Sequence, residues 1–167
     1  TPSMKERDAY VLDMISTILS DGKSSRLYKK LVDQDKIAME VAALNFSQED
    51  YGSYITLALP LNNTPLETIT REMDEEIVKL QTELISEREY EKLQNIYKNN
   101  FVTSNATVEG IANSLANYYT FYGDTSLINK ELEIYKNITR EEIREVAKKY
   151  LNPNQRLRLE YLPKTDQ

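Results

Sequence analysis

The sequence predicts an α+β domain in which a small antiparallel sheet packs with several helices. Three observations carry this. Apolar residues recur at three- and four-residue steps through most of the chain, which is helical spacing; the adjacent segments Ile37 to Phe46 and Tyr54 to Leu61 are instead apolar in strand-like runs; and only the polar SQEDYG loop separates them, so they pair antiparallel. Helices stacked on such a sheet bury both kinds of apolar surface economically. The chain, residues 1–167, reads as a single domain without linker or repeat. A compact domain of that size buries roughly 70% of its unfolded surface.

Each element has a local cause. Val11, Met14, Ile15 and Ile18 share one helical face, and Asp21-Gly22 ends that helix. A short basic helix from Ser24 or Ser25 to Val32 turns Leu27, Tyr28 and Leu31 inward. In the first strand Ile37, Met39, Val41 and Ala43 lie on one face, with Ala38, Ala42, Leu44 and Phe46 on the other. The second strand is apolar on both faces, the pattern of a central strand covered on both sides. Thr64 is placed to cap the next helix, with Pro65 at its first position and Glu67 completing a capping box. Leu66, Ile69, Met73, Ile77, Leu80 and Leu84 form its buried stripe. Ser86 with Glu89 opens a helix through Tyr90, Leu93, Tyr97 and Phe101. Val108, Ile111, Ala112, Leu115, Tyr119 and Tyr122 make another stripe, stopped at Gly123. A short helix over Ser126 to Lys136 follows, then a helix opened by the Thr139/Glu142 capping box and lined by Ile143, Val146, Ala147 and Tyr150. Leu157, Leu159 and Tyr161 alternate with charged residues, which is the periodicity of a third strand.

Composition removes whole classes of chemistry. A formal charge of −6, from 21 basic and 27 acidic side chains, opposes the basic face that nucleic acid requires. The chain has no histidine and no cysteine. Zinc catalysis through imidazole or thiolate and Ser-His nucleophile activation are both out of reach. No EF-hand or Walker-type pattern is present, so neither catalytic nor metal-binding residues are assigned. No apolar run approaches the roughly 20 residues of a membrane span.

Several features have two readings. Lys23, Arg26, Lys29, Lys30 and Lys36 are either a solvated basic face, offset by Asp33 and Asp35, or the lining of a chamber for acidic peptide segments. The aromatic run Tyr118, Tyr119, Phe121 and Tyr122 is core or interface. Three Asn-x-Thr triplets, at Asn62, Asn105 and Asn137, read as turn chemistry.

Five motifs in order carry a resemblance. A Gly turn at Asp21-Gly22 precedes Ser24-Ser25-Arg26-Leu27-Tyr28; the strand pair follows; Ile85 to Glu89 and Ile138 to Glu142 open helices; and Lys149 to Pro153 leads to the last strand. This order resembles the C-terminal, non-zinc-binding domain of the insulinase/pitrilysin family of zinc metallopeptidases, of the mitochondrial-processing-peptidase type. The resemblance implies a non-catalytic domain, a fragment of a longer chain, packed against a zinc-bearing catalytic domain or partner subunit to enclose a peptide substrate. Zinc is expected in that other domain, whose H-x-x-E-H motif is absent here. In members whose C-terminal domain aids catalysis, an Arg and a Tyr follow the S-R-L segment; those positions fall on Val32 and Met39, which offer no donor to a substrate carbonyl or oxyanion. Arg26 is the remaining substrate-binding candidate, with a tie between helix and neighbouring backbone as its competing role. The resemblance places a strand before the helix that begins at Asp8, so the sheet is expected to be N-terminally truncated, with an exposed edge that invites a second copy. A bacterial parent that is exported would place the domain in the periplasm or cell envelope. The alternative function is a catalytically dead scaffold or assembly subunit of the same fold. The isolated chain is expected to hydrolyse no peptide with or without added zinc, and zinc-dependent turnover by the purified chain would refute this.

Overall fold

The computed structural model describes residues 1–162. Helix α1 (Arg7–Ser20) is the axis of the fold, with eight buried side chains that include Leu12, Met14, Ile15 and Leu19. Gly22, at φ 71°, turns the chain out of it in a conformation that costs other residues more. The basic segment then winds as a π-helix, Tyr28–Gln34, placing Leu27 and Leu31 in the core.

Strands β1 (Ala38–Ser47) and β2 (Gly52–Pro60) form an antiparallel hairpin whose inner face lies on α1. The register breaks between Ala38 and Glu40. Such a bulge adds one unpaired residue and shifts the alternation of faces. Ala38 therefore turns inward together with Val41 and Ala43, while Met39 is expelled and 64% exposed. A Cβ on Gly52 would lie 2.5 Å from Thr1 Oγ1 and 2.7 Å from the Phe46 carbonyl oxygen, so the return strand starts on a residue without one.

The rest is helical: α2 (Leu66–Thr82), α3 (Glu87–Ser104), α4 (Val108–Asn117), a π turn Tyr118–Tyr122, a 3₁₀ turn Thr125–Asn129, α5 (Glu131–Lys136), α6 (Arg140–Tyr150) and a 3₁₀ turn Pro153–Gln155. Helices α3, α5 and α6 pack around α1, and α2 packs on α6. One cluster joins Ile69, Met73, Leu80, Leu93, Ile143 and Val146 to the buried face of α1.

Four expectations are corrected. The second strand is not covered on both sides: Ile55, Leu57 and Leu59 are exposed, and among the described residues the sheet has only two strands. The third strand does not form among the described residues: residues 156–162 join no sheet, and Leu157 is 83% and Tyr161 92% exposed. The α4 stripe is not core: Val108 is 85% and Tyr119 72% exposed, and only Tyr118 of that aromatic run is buried. Thr64 does not cap α2, since its hydroxyl donates to the Leu61 carbonyl at 2.7 Å and Pro65 takes the cap position. The Thr139/Glu142 box forms completely. At α3, Ser86 accepts the Glu89 N–H, but the Glu89 carboxylate is turned elsewhere.

Because α1 is enclosed, its polar side chains need hydrogen-bond partners; Ser16 finds one in the helix's own Leu12 carbonyl, while three others reach other elements. Asp13 accepts from Asn45 Nδ2 at 2.8 Å and from Tyr135 Oη at 3.1 Å. Thr17 meets Tyr97 Oη at 3.2 Å. Ser20 accepts the Ala43 N–H at 2.8 Å and donates to the Ala43 carbonyl at 3.2 Å. Burial raises the Asp13 pKa, against the pull of Asn45 and Tyr135. A raised folded pKa means that the native state holds this proton more tightly than the unfolded chain. Asp13 thus contributes stability that is complete below the unfolded carboxylate value and is lost as pH rises through the folded one. In urea unfolding, wild type is expected to gain stability relative to Asp13→Asn between pH 7 and pH 4; a pH-independent difference would contradict it.

Candidate functional site

Ser25 and Arg26 open the basic helix beside the Gly22 turn. Ser25 is buried and donates to the Gly22 carbonyl at 2.7 Å, fixing the turn. Arg26 then projects onto α3 and grips Glu89 with two parallel bonds, Nε to Oε1 at 2.8 Å and Nη2 to Oε2 at 2.7 Å. This is why the second capping box stays half made: the carboxylate that would return to the Ser86 N–H is held by the guanidinium. Arg26 joins the basic helix to α3 through the strongest common ion-pair geometry.

The other members of the basic cluster separate. Lys30 pairs with Asp35 at 3.0 Å and Glu72 at 3.1 Å, which ties the π-helix to α2. Lys29 instead reaches a cavity of about 470 Å³ between the basic helix and α3, where Arg88 and Lys92 meet it from the other side. Lys92 donates to Ser24 Oγ at 2.6 Å across the rim. Sequence reasoning missed Arg88 and Lys92. Their only local signal was a pair of cations four residues apart just past the Ser86 cap, a spacing that places both on one helical face.

Val32 is half-buried against the core, and Met39 stands on the bulge. Neither side chain carries a hydrogen-bond donor, so neither can make a side-chain contact to an oxyanion. Zinc does not fit this chain: its preferred imidazole and thiolate donors are absent from the sequence, and among the described residues no cluster of three acidic side chains could hold a metal ion.

A family model described as the peptidase M16 inactive domain matches residues 1–97. The chain belongs to that family. It is the insulinase/pitrilysin group that the motif order resembled. A zinc protease of Helicobacter pylori, PqqE, is 28% identical over 117 residues, which are 70% of this chain and 26% of that protein. A Rickettsia felis zinc protease is 24% identical over 149 residues, 89% of this chain and 36% of that protein. The chain therefore spans about a quarter to a third of the curated relatives it matches. Among solved structures, the inactive peptidase domain of a Bordetella parapertussis protein superposes with a TM-score of 0.86 at 22% identity, covering 100% of this chain and 88% of that one. These structures share the M16 inactive-domain fold with this chain.

The Arg26–Glu89 pair is only partly exposed, at 19% and 26% of the two side chains. Arg26→Ala is expected to cost about 2 kcal/mol of unfolding free energy, within the range for hydrogen bonds to charged groups. Met39→Ser is expected to stay within about 0.5 kcal/mol, as for exposed sites. Urea titrations giving equal effects for the two variants would show that the pair does not hold α3 in place.

Proposed function

We propose that this M16 inactive domain is the non-catalytic partner of a zinc-bearing peptidase domain and forms one wall of its substrate chamber. The observation that carries the proposal is the uncovered outer face of the hairpin. Leu44, Phe46, Ile55, Leu57 and Leu59 stand together on it, and Phe46 and Leu59 are each 48% exposed. An apolar patch of this kind on a sheet marks a surface that something else covers. The edge of β2 supports the same reading. Thr1 exchanges hydrogen bonds with Gly52 at 3.0 and 3.1 Å. By strand alternation the N–H and C=O groups of Tyr54, Thr56 and Ala58 face the same side, with no partner among the described residues. An open edge of three rungs accepts an extended segment, whether a strand of the catalytic domain, a peptide or a second copy.

The chemistry of the chain fits a supporting role. It offers no zinc donors of the usual kind, and Val32 and Met39 supply no polar contact to a reacting carbonyl. Zinc would reside in the other domain, and this one would contribute a surface that excludes water and holds peptide.

Mixing the chain with the zinc-bearing domain of its parent is expected to yield chelator-sensitive hydrolysis of an unfolded protein. Neither component alone should match it. An Ile55→Asp/Leu57→Asp variant should weaken association while keeping its far-ultraviolet circular dichroism. Equal turnover with and without this chain would overturn the proposal and favour the scaffold alternative.

A further inference from the structure

Most cations of this acidic chain are engaged. Arg7, Arg26, Lys30, Arg140, Arg156 and Arg158 each hold a carboxylate of another element. Lys29, Arg88 and Lys92 differ: none forms an ion pair among the described residues, and all three line the same cavity. They come from two elements, the basic helix and α3, so helical periodicity alone does not assemble them. The one carboxylate in the cavity wall, Glu89, is held at both oxygens by Arg26. Asp21 and Glu91 line the shallow hollow next to it with Arg88 and Lys92, without an ion pair to either. Beneath the cationic rim the floor is apolar, made by Ile18 and Leu93.

A concave surface with low-dielectric walls concentrates the field of charges on its rim. Three cations without an ion pair among the described residues, in a protein of net charge −6, therefore give local positive potential against the overall sign. Ser24 Oγ and the three cationic heads supply donors, and the floor accepts methylene groups. The geometry points to this cavity as a binding site for a peptide carboxylate, with the carboxyl group between Arg88 and Lys92 and its aliphatic stem on Ile18 and Leu93. Two sources share that chemistry: a glutamate or aspartate side chain, and a chain's C-terminal carboxylate. The assignment rests on the proposed role in a peptidase for its biological sense. The binding itself is read on this chain alone, so its failure is distinguishable from failure of that role in the mixing experiment.

The test uses fluorescence anisotropy with three labelled probes: a capped oligoglutamate, a neutral peptide with a free C-terminus, and the same neutral peptide amidated. At least one carboxylate probe is expected to bind about tenfold tighter than the amidated control, the scale of a hydrogen bond to a charged group. Its identity reports the source. An Arg88→Gln/Lys92→Gln variant is expected to lose that preference, while Lys5→Gln, which removes an exposed cation elsewhere, keeps it. Added salt should weaken binding. Carboxylate probes that bind no tighter than the amidated control would overturn the assignment. So would equal loss in the Lys5→Gln variant. All substituted residues are exposed, and retained tyrosine near-ultraviolet circular dichroism checks that each variant is folded.

Discussion

The fold depends on the enclosure of α1. A helix buried on nearly every side cannot leave a polar side chain unsatisfied, because an unpaired polar group out of water costs more than a typical hydrogen bond returns. Asp13, Thr17 and Ser20 are such side chains, and each finds a partner outside the helix: Asn45 on β1 and Tyr135 on α5 for Asp13, Tyr97 on α3 for Thr17, and the β1 backbone at Ala43 for Ser20. These bonds fix how the hairpin and the helices sit around α1, where apolar packing alone would tolerate sliding. The stacked rings of Tyr97 and Tyr135, 4.0 Å between centroids, fill the space beside them.

This arrangement gives the domain two unlike sides. Around α1 the apolar side chains are enclosed, and the buried polar side chains of the helix itself are paired. On the far side of the hairpin, and along α4, apolar side chains meet solvent. The asymmetry suits a chain that spans only a part of the curated relatives it matches. The interior supplies rigidity, and the uncovered faces are available to other polypeptide. Between them, Arg26 and Glu89 hold the basic helix to α3, so the cationic cavity is built on two elements locked together by the same pair.

What the sequence disclosed was local. The hairpin, the end of α1 at Gly22 and the capping box at Thr139 follow from residues a few positions apart, and the structure has all three. What it concealed was relational. Periodicity says that Val108, Ile111 and Leu115 share a face, but not whether anything lies against it. Alternation over Leu157, Leu159 and Tyr161 describes a segment fit to be a strand, and a strand also needs a neighbour. The bulge at Met39 is a matter of register against β2, and the pattern of β1 alone cannot show it. Thr64 had the right residue type for a cap, yet the left-handed backbone at Asn62 brings the chain round so that the hydroxyl meets the Leu61 carbonyl first. Lys29 was visible as a charge, whereas its meeting with Arg88 and Lys92 requires the tertiary fold.

Glu142 serves two structures at once: it closes the capping box of α6, and it takes Arg7 at the opening of α1, 2.7 Å from Nε. Asp8, one residue on, takes Lys149 and Tyr150 from the far end of α6 at 2.7 and 2.9 Å. Both ends of the last long helix are thus buckled to the opening turn of the first, across sequence separations of 135 to 142 residues. Closing so long a loop is entropically costly and slow. Assembly of this domain is therefore expected to finish at that clasp, and a nascent chain still lacking α6 would hold its central helix only loosely.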